Sequence, residues 1–229
     1  MTDGHTYHQY CPIARAAEIV GDRWTPLVVR ELINGSHRFN ELVRGLPGIN
    51  RSLLVERLAR LERSGVIERR PGAARGDAYW LTPMGIELGA VLDHLGRWGA
   101  RWTFGEPRPD ELDPVLLLWW MQRRVDLAAL PPERVVVRFD FRGHSLPLWL
   151  VLERPTPSAC LQDPGFPTDL VVDADLAAFY EVWLGRLALT SAEVTGRVRL
   201  DGPPALSHAF PQWLLLSPMA PSVRSLRPA

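Results

Sequence analysis

The chain has 229 residues, 46% hydrophobic and 23% charged, which supports real cores and argues against wholesale disorder. No apolar run approaches the eighteen or so residues that cross a bilayer, and the start of the chain lacks the basic and apolar segments of a secretory signal. Cys11 and Cys160 make no disulfide framework, so a soluble cytoplasmic protein is expected. Net charge is zero but unevenly spread. Residues 1–105 carry 14 Arg against 11 Asp and Glu, residues 106–229 carry 12 against 15, and Arg38 to Arg75 alone holds 9 Arg against 4 Glu. Such a local excess suits a phosphate backbone.

In chain order, Cys11 is placed to cap a helix that starts at Pro12 and runs to Gly21. Thr25-Pro26 starts a second helix, stopped by Asn34-Gly35, and "FNELVRGLPG" gives a short third. Asn50 caps "RSLLVERLARLERSG", in which Leu54, Leu58 and Leu61 recur at i, i+4, i+7 and leave Arg51, Ser52, Val55 and Glu56 on the outer face. The runs "VIERR" and "AYWLT", joined by "PGAARGD", predict a hairpin. Thr82-Pro83 opens a long helix whose apolar side is Ile86, Leu88, Val91, Leu92, Leu95 and Trp98. A short helix, a tight Gly-Pro turn and a longer capped helix make a helix-turn-helix, whose second member enters the major groove. A basic hairpin beside it suits the neighbouring minor groove or phosphates. Candidate DNA contacts are Arg38, Asn50, Arg51, Ser52, Val55 and Arg57, with Arg69, Arg70 and Arg75 on the hairpin.

This stretch, from about Tyr10 to Trp102, resembles the HxlR-type transcriptional regulators. It shares their Cys-Pro start, Gly-Asp-Arg-Trp, Arg-Phe-Asn-Glu-Leu, and Leu-Thr-Pro before the last helix. The resemblance implies a winged helix-turn-helix acting as a homodimer on palindromic promoter DNA, with the terminal helices making the dimer. A cysteine at the position of Cys11 senses electrophiles or oxidants in several such proteins. A helix cap favours thiolate, and Arg15 would add to that, so Cys11 is a candidate redox sensor; a small residue buried at the dimer seam is the alternative. His5, His8 and Cys11 are spaced by three, but an exposed arm is the preferred reading, and no metal or cofactor is expected.

"FGEPRPDELDP" reads as a linker, which divides the chain into residues 1–105, a linker at 106–114 and a second domain at 115–229. In the second domain "VLLLWWMQRRV" predicts an apolar helix. Val135 to Phe141 and Leu146 to Glu153 form a hairpin, and "SACLQD" and "TDLVVDAD" add strands. Asp173 or Asp175 caps the helix "LAAFYEVWLGRLAL", "AEVTGRVRLDG" gives a last strand, and "PPALSHAFPQWL" a last short helix. The sum is an antiparallel sheet with helices on one side.

The later part of this domain resembles sterol-carrier-protein-like lipid-binding domains, with a strand, a tryptophan-bearing helix, a Gly-x-Val strand and a terminal helix after Gly-Pro. The expected fold class is therefore α+β, a winged helix-turn-helix domain followed by a mixed α+β sterol-carrier-protein-like domain. That resemblance implies a cavity for an apolar molecule, with Trp119, Trp120, Trp149, Phe179 and Trp183 as candidate lining. No catalytic set emerges, since there is no phosphate-binding glycine loop, no Gly-x-Ser-x-Gly and no Cys-x-x-Cys. The expectation is a non-enzymatic, DNA-binding homodimeric regulator modulated by an apolar or aromatic ligand. The alternatives are a thiol sensor acting through Cys11, and a lipid or metabolite carrier that uses the helix-turn-helix as a dimer scaffold.

Overall fold

A computed structural model describes residues 6–72 and 76–225. It separates into two compact units, residues 1–95 and 96–229.

The first unit follows the predicted order. Helices α1 (Pro12–Val20), α2 (Thr25–Ile33), α3 (Phe39–Gly45) and α4 (Arg51–Arg63) precede a hairpin of β1 (Ile67–Pro71) and β2 (Asp77–Leu81), then α5 (Pro83–Trp102). Prolines at the first or second positions of α1 and α2 place the missing N–H where no intrahelical partner is needed. Thr25 is the first residue of α2, and Trp24 precedes it in the left-handed conformation. The core interlocks Val28, Val29 and Leu32 of α2, Leu42 and Leu46 around α3, Leu54, Leu58 and Leu61 of α4, and Val66 and Ile67. Leu88 and Leu92 of α5 pack against it.

One polar knot lies inside. Glu31 is fully buried, pairs with Arg30 at 3.0 Å and accepts from Ser36 Oγ at 3.1 Å. Gly45 makes room for it, because a Cβ there would lie 2.1 Å from Glu31 Oε2. α2 and α3 are thus joined by a carboxylate that only a glycine-ended helix can accommodate.

The second unit contains α6 (Pro114–Gln122), β3 (Val135–Phe141), β4 (Leu148–Leu152), β5 (Ser158–Cys160), β6 (Leu170–Ala174), α7 (Leu176–Trp183), α8 (Leu189–Val194), β7 (Val198–Asp201), α9 (Pro204–Trp213) and α10 (Ala220–Arg224). Its sheet has the order β5-β4-β3-β6-β7. The pair β3–β6 is parallel and the rest are antiparallel, so the sheet is mixed where an all-antiparallel one was expected. The long connection after β5 allows this, since parallel neighbours require a crossover. Asp175, not Asp173, caps α7, its Oδ1 accepting from Ala178 N at 2.7 Å. Gly185, at φ +74°, stops that helix early, and the start of the expected last strand is the helix α8.

Because side chains alternate along a strand, one sheet face carries Val135, Val137, Phe139, Phe141, Leu148, Leu150, Leu152, Leu170 and Val172. These meet Leu117 and Met121 of α6, Phe179 and Trp183 of α7, and Phe210 and Trp213 of α9 in one core. At the entrance to α6, Asp113 caps the helix and its carbonyl accepts from the Tyr180 hydroxyl at 2.8 Å. Burial, with a smaller contribution from the Asp113 charge, outweighs the opposing backbone hydrogen bond and pushes the Tyr180 phenol well above the ordinary tyrosine range.

Candidate nucleic-acid interface

The turn between α3 and α4 is Leu46-Pro47-Gly48-Ile49, with Gly48 at φ +85°, a backbone conformation that disfavours a side chain. Both helices are capped by local chemistry. Glu41 Oε2 accepts from His37 N at 2.9 Å and Arg38 N at 3.0 Å, and Asn50 Oδ1 accepts from Ser52 N at 2.8 Å. The buried leucines of α4 leave Arg51, Ser52, Val55 and Glu56 exposed, as the spacing predicts. Arg51 is ordered: its Nη2 donates to Asn40 Oδ1 at 3.0 Å, and its guanidinium lies 4.9 Å from the Phe39 ring centre. Asn50 spends its carbonyl oxygen on the cap. Arg38 is half-buried, and its backbone bridges to Ala78 of the hairpin.

Arg57 is engaged within the first unit. Its side chain is 12% exposed, pairs with Asp22 at 3.6 Å and Glu56 at 2.7 Å, and donates to the Arg23 carbonyl at 3.4 Å. Arg60 reaches the same Asp22 at 2.8 Å. These two cations tie α4 to the loop between α1 and α2.

The hairpin separates its two arginines. Arg69 lies on the side of Ile67, Tyr79 and Leu81, with Glu62 at 3.4 Å and Asp77 at 3.5 Å. Arg70 shares the other side with Glu68, its ion-pair partner, and with Trp80, whose ring centre is 5.4 Å away. Arg75 lies outside the described residues. Sequence reasoning passed over Asn40, His37 and Trp80; nothing in helical or strand periodicity singles them out, because each gains its place from a neighbour distant in the chain.

Cys11 is half-buried at the N-cap of α1, without a side-chain cap hydrogen bond. Arg15 pairs with Glu18 at 3.3 Å. Among the described residues no three His, Cys, Asp or Glu side chains gather as a metal site, and no helix is long and apolar enough to cross a membrane.

In the second unit the candidate ligand residues do not converge on one space. Phe179 and Trp183 are buried in the core between sheet and helices, and Trp120 packs against it from the edge. Trp149 pairs with Arg138 and Cys160, on the opposite sheet face from Leu148 and Leu150, so the sheet itself stands between it and Phe179. Trp119 is buried under the Arg123 guanidinium, 3.8 Å from its ring centre. Two open depressions on the second unit mix polar and apolar lining. One is bordered by Arg142, Asp173, Glu193 and Arg199, the other by Asp140, Arg142 and His144.

The model of the HxlR-like helix-turn-helix family matches residues 19–106. An HTH-type transcriptional regulator of Bacillus subtilis, YvaP, is 36% identical over 97 residues, which cover 41% of this chain and 90% of YvaP. A second from the same organism, YodB, is 34% identical over 100 residues, covering 42% of this chain and 88% of YodB. The crystal structure of quinone-bound YodB aligns with 40% of this chain and all of its own, at 32% identity and a TM-score of 0.36. With nearly the whole of one such regulator matched at this identity, the chain belongs to the HxlR-like helix-turn-helix family of transcriptional regulators.

Proposed function

We propose that the protein is a non-enzymatic, cytoplasmic regulator that binds palindromic promoter DNA as a homodimer. The carrying observation is the exposed start of α4, where Arg51 and Ser52 stand clear of the core and Arg51 is held by Asn40 and Phe39. An ordered guanidinium at the N-terminal end of such a helix suits bidentate pairing with guanine. Arg51→Ala should cost about 1–3 kcal/mol on a selected duplex, with little change on random DNA. A gel-shift titration checks this; an unchanged affinity for the selected duplex would remove α4 from the role given to it.

The homodimer is supported by α5, where Met84, Leu88, Val91, Leu95, Trp98 and Trp102 follow spacings of four and three along one stripe. All but the half-buried Leu88 are exposed. Tyr10 and Ile13, beside and within α1, add further exposed apolar surface.

For the second unit we infer a sensing role, with an apolar or aromatic molecule entering near Phe179 and Trp183. Support comes from the order β6, Trp183-bearing α7, Gly196-Arg197-Val198 and α9 after Gly202-Pro203, which follows the sterol-carrier-protein-like pattern. A fatty acid or polycyclic aromatic probe that binds should raise the melting temperature with the logarithm of its concentration and alter DNA affinity reciprocally. Persistence of that response in Cys11→Ser assigns the input to the second unit, and its loss assigns it to the thiol. A melting shift without any change in DNA affinity would favour a carrier.

A further inference from the structure

We propose that His37 is the positioning residue of the wing, acting through Trp80 to present Arg70, rather than Arg69, to a DNA phosphate. This rests on the DNA-binding reading above and adds the residue that sets the geometry of its second contact.

His37 immediately precedes α3, yet it is bonded to β2. Tyr79 N donates to the His37 carbonyl at 2.7 Å, and His37 Nδ1 lies 3.0 Å from the Tyr79 carbonyl. A carbonyl only accepts, so Nδ1 carries the proton and the ring donates. His37 N is itself fixed by Glu41. The imidazole then lies flat on the Trp80 indole, with ring centres 3.8 Å apart and planes inclined by 15°. Trp80 in turn carries the Arg70 guanidinium.

A two-stranded hairpin has little rigidity of its own. This one takes its angle relative to α3 from a residue at the foot of that helix. Both arginines are ion-paired, Arg70 with Glu68 of its own strand and Arg69 with Glu62 and Asp77, but the Glu62 pair ties Arg69 to α4 on the hairpin face away from Trp80. A guanidinium held near an indole face is attracted by the ring and loses less side-chain entropy when it exchanges its carboxylate for a phosphate.

The test is a double-mutant cycle by fluorescence anisotropy on the full-length protein. The probes are a duplex enriched from a random pool by the wild type and an unselected duplex, each titrated over a range of salt. His37→Ala should weaken binding to both by about tenfold near 0.1 M salt and lower the salt slope by about one, the signature of one lost phosphate contact. Arg70→Ala should do the same, and the two together should be no worse than either alone. His37→Ala and Ser52→Ala should multiply. His37→Phe, which keeps a ring on Trp80, should retain most of the affinity, and His37→Asn replaces the alanine variant if that one melts below the assay temperature. Multiplicative loss for His37 and Arg70, an unchanged salt slope, or a phenylalanine variant as weak as alanine would overturn the assignment. Failure of the wild type to enrich any duplex would instead bring down the DNA-binding reading itself.

Discussion

Gly85→Ala should lower the stability of the first unit by about 3 kcal/mol, although alanine is the better helix former by about 1 kcal/mol. Gly85 lies in the first turn of α5, and a Cβ there would fall 2.1 Å from the Val66 carbonyl oxygen and 2.9 Å from Leu81 Cδ2. That oxygen is backbone and cannot swing away. It accepts from Thr82 N at 3.1 Å, while Thr82 Oγ1 donates to the Gly65 carbonyl at 2.7 Å and accepts from Gly85 N at 3.2 Å. Relieving the clash means backing α5 off the hairpin. That strains a closely packed site and weakens hydrogen bonds worth about 1 kcal/mol each. Urea denaturation measures the change, and Gly89→Ala is the internal control. One turn further along, the new Cβ meets only Ile33 Cδ1 at an ordinary 3.6 Å, so that variant should be neutral or slightly more stable. Equal midpoints for the two variants would show that the start of α5 yields without cost.

The combined substitution Val91→Glu and Leu95→Glu should convert the proposed homodimer to monomer, weakening association at least a thousandfold. Both side chains are more than half exposed in the single chain, at 53% and 52%, so the protomer should keep its helical spectrum. In a two-fold interface each change counts twice. Four apolar side chains at about 1.5 kcal/mol or more each then lose their burial, and charges replace them. Sedimentation equilibrium reads the result directly, and affinity for a palindromic duplex should fall with it. A variant that stays dimeric at micromolar concentration would place the interface elsewhere.

Much of the first unit was legible in the chain because its signals are local. The leucines of α4 announce its buried face, Asn50 its start and Gly65 its end, and every one of these acts within a few residues. The exposed Arg51 and Ser52 follow from the same spacing. Periodicity shows which face of a helix is apolar, but not what covers it. α5 illustrates the difference, since Leu88 and Leu92 pack against the core of the first unit while Val91, Leu95 and Trp98 of the same apolar side are exposed in the single chain. The role of a cation is equally non-local. Arg57 looked like a surface charge because its partner, Asp22, is thirty-five positions away in the chain and arrives only with the fold. Strand alternation could place Trp149 on one face or the other. Only the pairing of β4 with β3, and the packing of α7 on the opposite side, put the sheet between it and Phe179. The insertion of β6 parallel to β3 depends on a crossover whose path no residue pattern encodes. Local chemistry determined the elements and their caps; tertiary contact decided which charges are paired within the fold, because an ion pair forms between neighbours in space and not in sequence.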